Sequence, residues 1–236
     1  MYEILDLIAY YFPECEGINM DATVTSILHK SQEELEMLAR KKVKHLYLGI
    51  ESGLDDVLKF MKKDHDLAQA YQAIDRLHGA GLIYDAHIMT GVAGKGRGME
   101  NAEALAQFLN RTNPAHVVNF SMFLHKEVPL YQDIRQGTFV PADELETIRE
   151  EYHLIERIAP EKAGANILYD GFHDFIHVRV RGHLPGDKEK MLAKLNGIIQ
   201  EYEGKEPVYS FVQGECPDLE YCDDGKAVWD MDRKTS

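Results

Sequence analysis

Short runs of β-branched and other apolar residues alternate along this chain with longer stretches in which apolar positions recur every three or four residues. That is how parallel strands and their crossover helices read in sequence, and four such units are legible. Residues 17–25 (GINMDATVT) predict a strand, after which Ser31 and Glu34 stand at capping-box spacing and open an amphipathic helix to about Lys41. Residues 43–50 (VKHLYLGI) are almost continuously apolar, as a strand covered on both faces would be. Residues 55–61 predict a short helix, and Asp66 caps a longer one through Leu77 with Leu67, Ala70, Ile74 and Leu77 on one face. Residues 82–91 (LIYDAHIMTG) predict a third strand leading into a loop with Gly94, Gly96 and Gly98. A helix over 100–111 is broken at Asn113-Pro114, and 115–124 (AHVVNFSMFL) predict the fourth strand.

Beyond Pro141 the texture changes. One long helix spans 142–158, and Ala159-Pro160 marks a boundary. The alternation through Phe175, Ile176, His177, Val178, Arg179, Val180 and Arg181 predicts a hairpin or strand pair over 167–181. A helix over 187–202, a last strand over 208–213 and an acidic, weakly ordered tail over 216–236 complete the pattern. The expected organisation is a parallel α/β domain over 1–158 and a small α+β extension over 159–236, with no fixed-period repeat.

Composition narrows the function classes. With 236 residues and 44% hydrophobic content, the chain can bury one sizeable core with an appendage. A formal net charge of -14 opposes non-specific binding to nucleic acid or anionic membrane, which depends on clustered Lys and Arg. No stretch reaches the roughly 18 apolar residues of a spanning helix, and residues 1–13 carry acidic rather than basic side chains, so a cytoplasmic location is expected. Cys15, Cys216 and Cys222 are too few and scattered for a disulfide framework and fit a reduced compartment.

In a barrel of parallel strands, side chains at the carboxyl ends converge on one mouth, and Asp21, Glu51, Ser52 and His87 all lie near such ends. Glu51 follows an apolar run directly, so its carboxylate must be solvated in the mouth or paired. Asp21 and Ser52 read equally as helix caps or loop partners. Lys63 and His65 read as solvated surface residues, and His87, between Ala86 and Ile88, as a core histidine or a ligand contact. The loop 91–98 (GVAGKGRG) has glycines and cations that suit a phosphate, but it lacks the Gly-Lys-Ser/Thr ending of a P-loop and reads as a connection shaping the mouth. Cys216 and Cys222 are at most half a metal site and otherwise free thiols. His173 and His177 read as surface residues outside the site.

Residues 46–52 (LYLGIES), 55–65 (DDVLKFMKKDH) and 87–94 (HIMTGVAG) follow one another as in radical S-adenosylmethionine (radical SAM) enzymes, with 120–131 (FSMFLHKEVPLY) adding a last-strand segment. Over about 17–158 the chain resembles that superfamily, in particular the group that includes oxygen-independent coproporphyrinogen oxidase, the tRNA methylthiotransferases and Elp3-like proteins. The resemblance implies a partial TIM-like (β/α) barrel, incomplete at its amino end, and S-adenosylmethionine as cofactor. It further implies that Asp21 helps hold the methionyl amine, that Glu51 and Ser52 lie beside the ribose and methionyl part, that His87 contacts the ribose, and that Lys63 reaches the carboxylate. Gly91 would open the loop against the adenosine. In the parent enzymes a [4Fe-4S] cluster cleaves the cofactor to a 5'-deoxyadenosyl radical that takes hydrogen from a substrate.

The departure is as informative. The Cys-x-x-x-Cys-x-x-Cys loop that holds the cluster is missing from this sequence. The chain is therefore expected to be a fragment of a longer enzyme, with a non-catalytic scaffold or cofactor-binding module as the alternative, and to be unable to cleave the cofactor alone. An unrelated barrel lyase or aldolase would want a Schiff-base lysine in a strand, and Lys44 stands at the wrong end. A barrel opened at its first strand exposes an unpaired edge, which predicts self-association or docking to the missing segment. The sequence leaves the substrate open.

Overall fold

Six strands form one sheet in chain order in the computed structural model, which describes residues 1–211, 220–221 and 227–228. Strands β1 (Ile18–Ala22), β2 (Val43–Glu51), β3 (Ile83–Thr90), β4 (His116–Ser121) and β5 (Ile167–His173) run parallel, and β6 (Val178–Leu184) returns antiparallel to β5. The architecture is α/β, a mostly parallel sheet corresponding to part of a TIM-like barrel wall. The strand pair expected around 167–181 is β5 and β6, and it extends this same sheet across the boundary expected at 158.

Helices supply the crossovers, and their caps explain where they start. Helix α1 (Tyr2–Tyr11) precedes β1. Between β1 and β2 lie α2 (Val24–Leu28) and α3 (Gln32–Arg40), the latter opened by the reciprocal Ser31–Glu34 box that the spacing predicted. Helices α4 (Asp55–Phe60) and α5 (Leu67–Gly79) join β2 to β3, with Asp66 and Gln69 capping α5. Helix α6 (Gly98–Thr112) follows β3, α7 (Leu130–Gln136) and α8 (Glu144–Arg157) follow β4, and α9 (Lys188–Tyr202) follows β6.

The first strand ends three residues before the expected Thr25, because the Thr23 hydroxyl accepts from the Ser26 amide and turns the chain into α2. The strand expected over 208–213 is reduced, within the described residues, to one bridge between Leu124 and Phe211. Cys216, Cys222 and most of the acidic tail lie outside the described residues, in which 220–221 and 227–228 form a two-stranded ladder. No helix of the described residues is long and apolar enough to cross a membrane.

Strand alternation separates two faces. One carries Leu46, Leu48 and Ile50 of β2, Tyr84, Ala86 and Ile88 of β3, Val117 of β4 and Tyr169 of β5, all buried in a core shared with Leu35, Ala70, Ile74, Leu105, Phe108 and Leu154 of the helices. Each such aliphatic side chain stabilises the fold by roughly 1.5–3 kcal/mol when fully buried. The opposite, inner face is polar and partly exposed. A second apolar cluster of Val57, Val92, Met122, Leu124, Tyr131, Ile134 and Phe139 comes from segments that follow the carboxyl ends of β2, β3 and β4.

Candidate active site on the inner face of the sheet

Parallel register arranges the inner-face side chains in rows. Asp21 pairs with Tyr47 and Tyr47 with Asp85, while Ala86 opposite Val117 sets Asp85 beside His116. One step nearer the mouth, Gly49 faces His87, His87 faces Val118, Val118 faces Asp170 and Asp170 faces Arg181. The next step runs Met89, Phe120, Phe172, Arg179.

Glu51 closes β2 in a left-handed backbone conformation, φ 62°, at a register irregularity in the β2–β3 ladder. A non-glycine residue held there costs about 1–3 kcal/mol and persists only where the surroundings fix it. Its carboxylate turns back over Gly49, where an added Cβ would come within 2.7 Å of Glu51 Oε1. Lys63 Nζ donates to the same oxygen at 3.1 Å. Lys63 is thus a half-buried partner of Glu51 rather than a solvated surface residue, and His65 beside it is buried, with Nδ1 3.4 Å from Asp64.

Asp21 is exposed on the same face as Glu51. His87 is half-buried there, its ring 5.1 Å from that of Tyr47 and 6.0 Å, edge to face, from that of Phe120. Asp21, Glu51, Lys63 and His87 therefore share one surface. Ser52 does not: it is buried, with Oγ donating to Asn101 Oδ1 at 2.6 Å and accepting from the Leu54 amide. Gly91 lies in the loop after β3 at φ 83°, with its amide turned to the outer layer, where it donates to Glu150 Oε2 at 2.8 Å.

The sequence reading missed two pairs on the inner face. His45 Nδ1 lies 2.6 Å from Asp85 Oδ2, and the Tyr47 hydroxyl lies 2.9 Å from His116 Nδ1. Burial pushes the Asp85 carboxyl up, although the His45 hydrogen bond opposes it, and burial pushes His116 down. Tyr47 is raised by burial and by the charges of Asp85 and Asp21. Asp85 Oδ1 and His116 Nε2 are buried without a hydrogen-bond partner among the described residues, so the face carries unspent acceptor and donor capacity. The available signal was the period-two polar set His45, Tyr47, Asp85, His87 inside strands otherwise read as apolar.

A second polar system lies on the helix side of the sheet. His173, read in the sequence as a surface residue, is fully buried, with Nδ1 3.0 Å from Glu144 and Nε2 3.0 Å from Glu151. Burial presses its imidazole down, but the two carboxylates outweigh that and hold it up at about 10. Tyr169 and Asn119 donate to Glu151, and Ser121 to Glu144. Gly171 makes room for this, since an added Cβ would fall 1.8 Å from Glu151 Oε1. His177 stays exposed in the turn.

Glu150 of α8 accepts from the Gly91 amide and from Asn101, whose Oδ1 receives Ser52 and the Gly53 amide. Burial lifts its carboxyl to about 7. The Gly96 amide donates to Glu146. The glycine loop thus meets carboxylates of its own chain with amides that a phosphate would need, which explains its glycines without a nucleotide.

Among the described residues no group of three or more His, Cys, Asp or Glu side chains is arranged to hold a metal ion. Cys15, the described cysteine, precedes β1 and donates to the Gly17 carbonyl, at the end of the sheet away from Glu51. The described residues do not fit an iron–sulfur cluster.

Residues 2–109 match the family model described as the radical SAM superfamily. None of the curated proteins matches the chain. Among solved structures, the Elp3 of the archaeon Methanocaldococcus infernus, with residues 1–46 deleted, superposes with a TM-score of 0.59 at 17% identity, over 79% of this chain and 42% of that one. Methylornithine synthase (PylB) gives a TM-score of 0.49 at 15% identity, over 84% of this chain and 62% of that one. The chain spans less than two thirds of the length of either, and at these identities the likeness to Elp3 concerns the fold alone. Ordered parallel strands, polar strand ends gathered on one inner face and the match over 2–109 point the same way: across that stretch the chain is similar to the radical SAM superfamily.

Proposed function

We propose that the β1–β3 side of the inner face binds S-adenosylmethionine, in a protein whose cluster ligands come from a cysteine-bearing segment outside this sequence. The observation that carries the reading is the shared placement of Asp21, Glu51 and His87 on one surface, with Glu51 held over Gly49. Asp21 and Glu51 supply carboxylates for the cofactor's amine and sulfonium, and Lys63, already beside Glu51, is the cation for its carboxylate. The His87 imidazole makes no hydrogen bond among the described residues, which leaves its nitrogens for a ribose hydroxyl. Ser52 acts through Asn101 to hold the loop that bears Glu51, and Gly91 acts through Glu150 to hold the next one.

When bound to a reduced cluster, the cofactor supplies hydrogen-abstracting radical chemistry. The part of this chain is to bind and orient it. Isothermal titration with S-adenosylmethionine tests the reading. The chain should bind it, Glu51→Gln and Asp21→Asn should each weaken binding about tenfold, and the chain alone should release no 5'-deoxyadenosine under reducing conditions. Equal binding by wild type and both variants would overturn the proposal.

A further inference from the structure

The inner face is polarised across its width. Asp21, Glu51 and Asp85 stand on β1 to β3, whereas the last strand presents Arg179, Arg181 and His183. Between these ends lies an aromatic floor. Phe120 and Phe172 stack at 5.7 Å with 17° between their planes, and both are half-exposed. Arg179 covers Phe172 at 4.8 Å and is held by Asp170 through two hydrogen bonds of 2.8 and 2.6 Å, so its charge is matched.

Arg181 differs. It projects from the adjacent row, its side chain 55% exposed, and its contact with Asp170 is an ion pair of 3.6 Å, longer than a hydrogen bond. Asp170 is already engaged by Arg179, which leaves the Arg181 guanidinium with donor capacity beside the aromatic floor. Its exposed guanidinium can therefore take an anionic ligand without giving up a buried partner.

On the reading that the cofactor occupies the β1–β3 side, we propose that the β4–β6 side is the substrate subsite, and that its substrate is a small anion with a planar apolar body. The body packs against the accessible edges of the Phe120 and Phe172 rings, and the carboxylate or phosphate meets Arg181 with His183 alongside. The cofactor's positive centre then faces the acidic half and the substrate's anion the basic half, so both ligands fit without like charges meeting.

Binding of 2-naphthoate, set against the neutral 2-naphthamide, probes this without cofactor. Naphthoate should bind about tenfold more tightly than naphthamide, and raising NaCl from about 50 to about 500 mM should weaken naphthoate alone. Arg181→Gln, an exposed change whose folding is verified by circular dichroism, should abolish the preference, and Phe172→Leu should weaken both ligands. Equal affinities in the wild type, no binding up to the solubility limit, or a preference that survives Arg181→Gln would overturn the proposal. Cofactor binding with no naphthoate preference would remove the subsite and leave the cofactor reading standing. The reverse result would remove the cofactor reading alone.

Discussion

Replacing His173 by glutamine isolates the energetics of the polar system behind the sheet. The imidazole sits between Glu144 and Glu151 with no solvent access, and all three side chains lie between α8 and the sheet. Its folded value of about 10 stands above the ordinary 6.5. The charged form is therefore favoured by folding: the stabilisation is fully present below pH 6.5 and is lost as pH rises through 10. At about 1.4 kcal/mol per unit, that difference corresponds to roughly 5 kcal/mol. Removing one member of a buried charge set costs about 3–5 kcal/mol by a separate route, because uncompensated carboxylates stay behind. Both figures are a large part of the roughly 5–15 kcal/mol that stabilises a domain. Urea unfolding of wild type and His173→Gln between pH 6 and pH 10 measures it. The wild-type advantage should be about 3–5 kcal/mol at pH 6 and should shrink toward pH 10. An advantage below about 1 kcal/mol, or one that stays constant with pH, would refute the assignment of a charged imidazole at this position.

Glu150 titrates with the same sign through a different cause. Its folded value, raised to about 7 by burial, makes stability present below its ordinary value of 4.5 and lost as pH rises through 7. The Glu150→Gln unfolding midpoint should therefore gain on that of the wild type between pH 5 and pH 7.5, and parallel midpoints would contradict the burial argument. Helix α1 exposes Ile4, Leu7 and Tyr11 at helical spacing, with Phe12 just beyond, next to a β1 that is the open edge of the sheet. We expect concentration-dependent self-association by sedimentation velocity, relieved by Leu7→Glu. A wild type that stays monomeric at high concentration would remove that expectation.

How much was legible followed from what each residue had to satisfy. The strands β1 to β4 announce themselves because their outer face needs Leu46, Leu48, Ile50, Ile88 and Val117, and the capping box at Ser31 and Glu34 fixes a helix start by local chemistry. Glu51 was also readable, since a carboxylate after an apolar strand must find water or a partner, and it found Lys63. Tertiary partners decided the rest. Glu144, Ile148, Glu151 and Ile155 form one buried stripe of α8, and nothing in the helix itself says that two glutamates on it will meet His173 from β5. Ser52 and Gly91 stand at the right strand ends but turn toward Asn101 and Glu150, which are remote in sequence. Helix α1 was missed because it is apolar nearly all round, with Leu5 packed inward and Ile4, Leu7 and Tyr11 exposed, so no polar face marks it in the sequence.

The shared placement of Asp21, Glu51 and His87 is tested most directly by following histidine side-chain resonances during titration with S-adenosylmethionine. The His87 ring should shift and saturate with the cofactor, and Glu51→Gln should weaken that response, while His29, just after α2, and His78 of helix α5 stay still. Saturable binding that leaves His87 unmoved, or shifts confined to the helix histidines, would place the cofactor elsewhere and contradict the account.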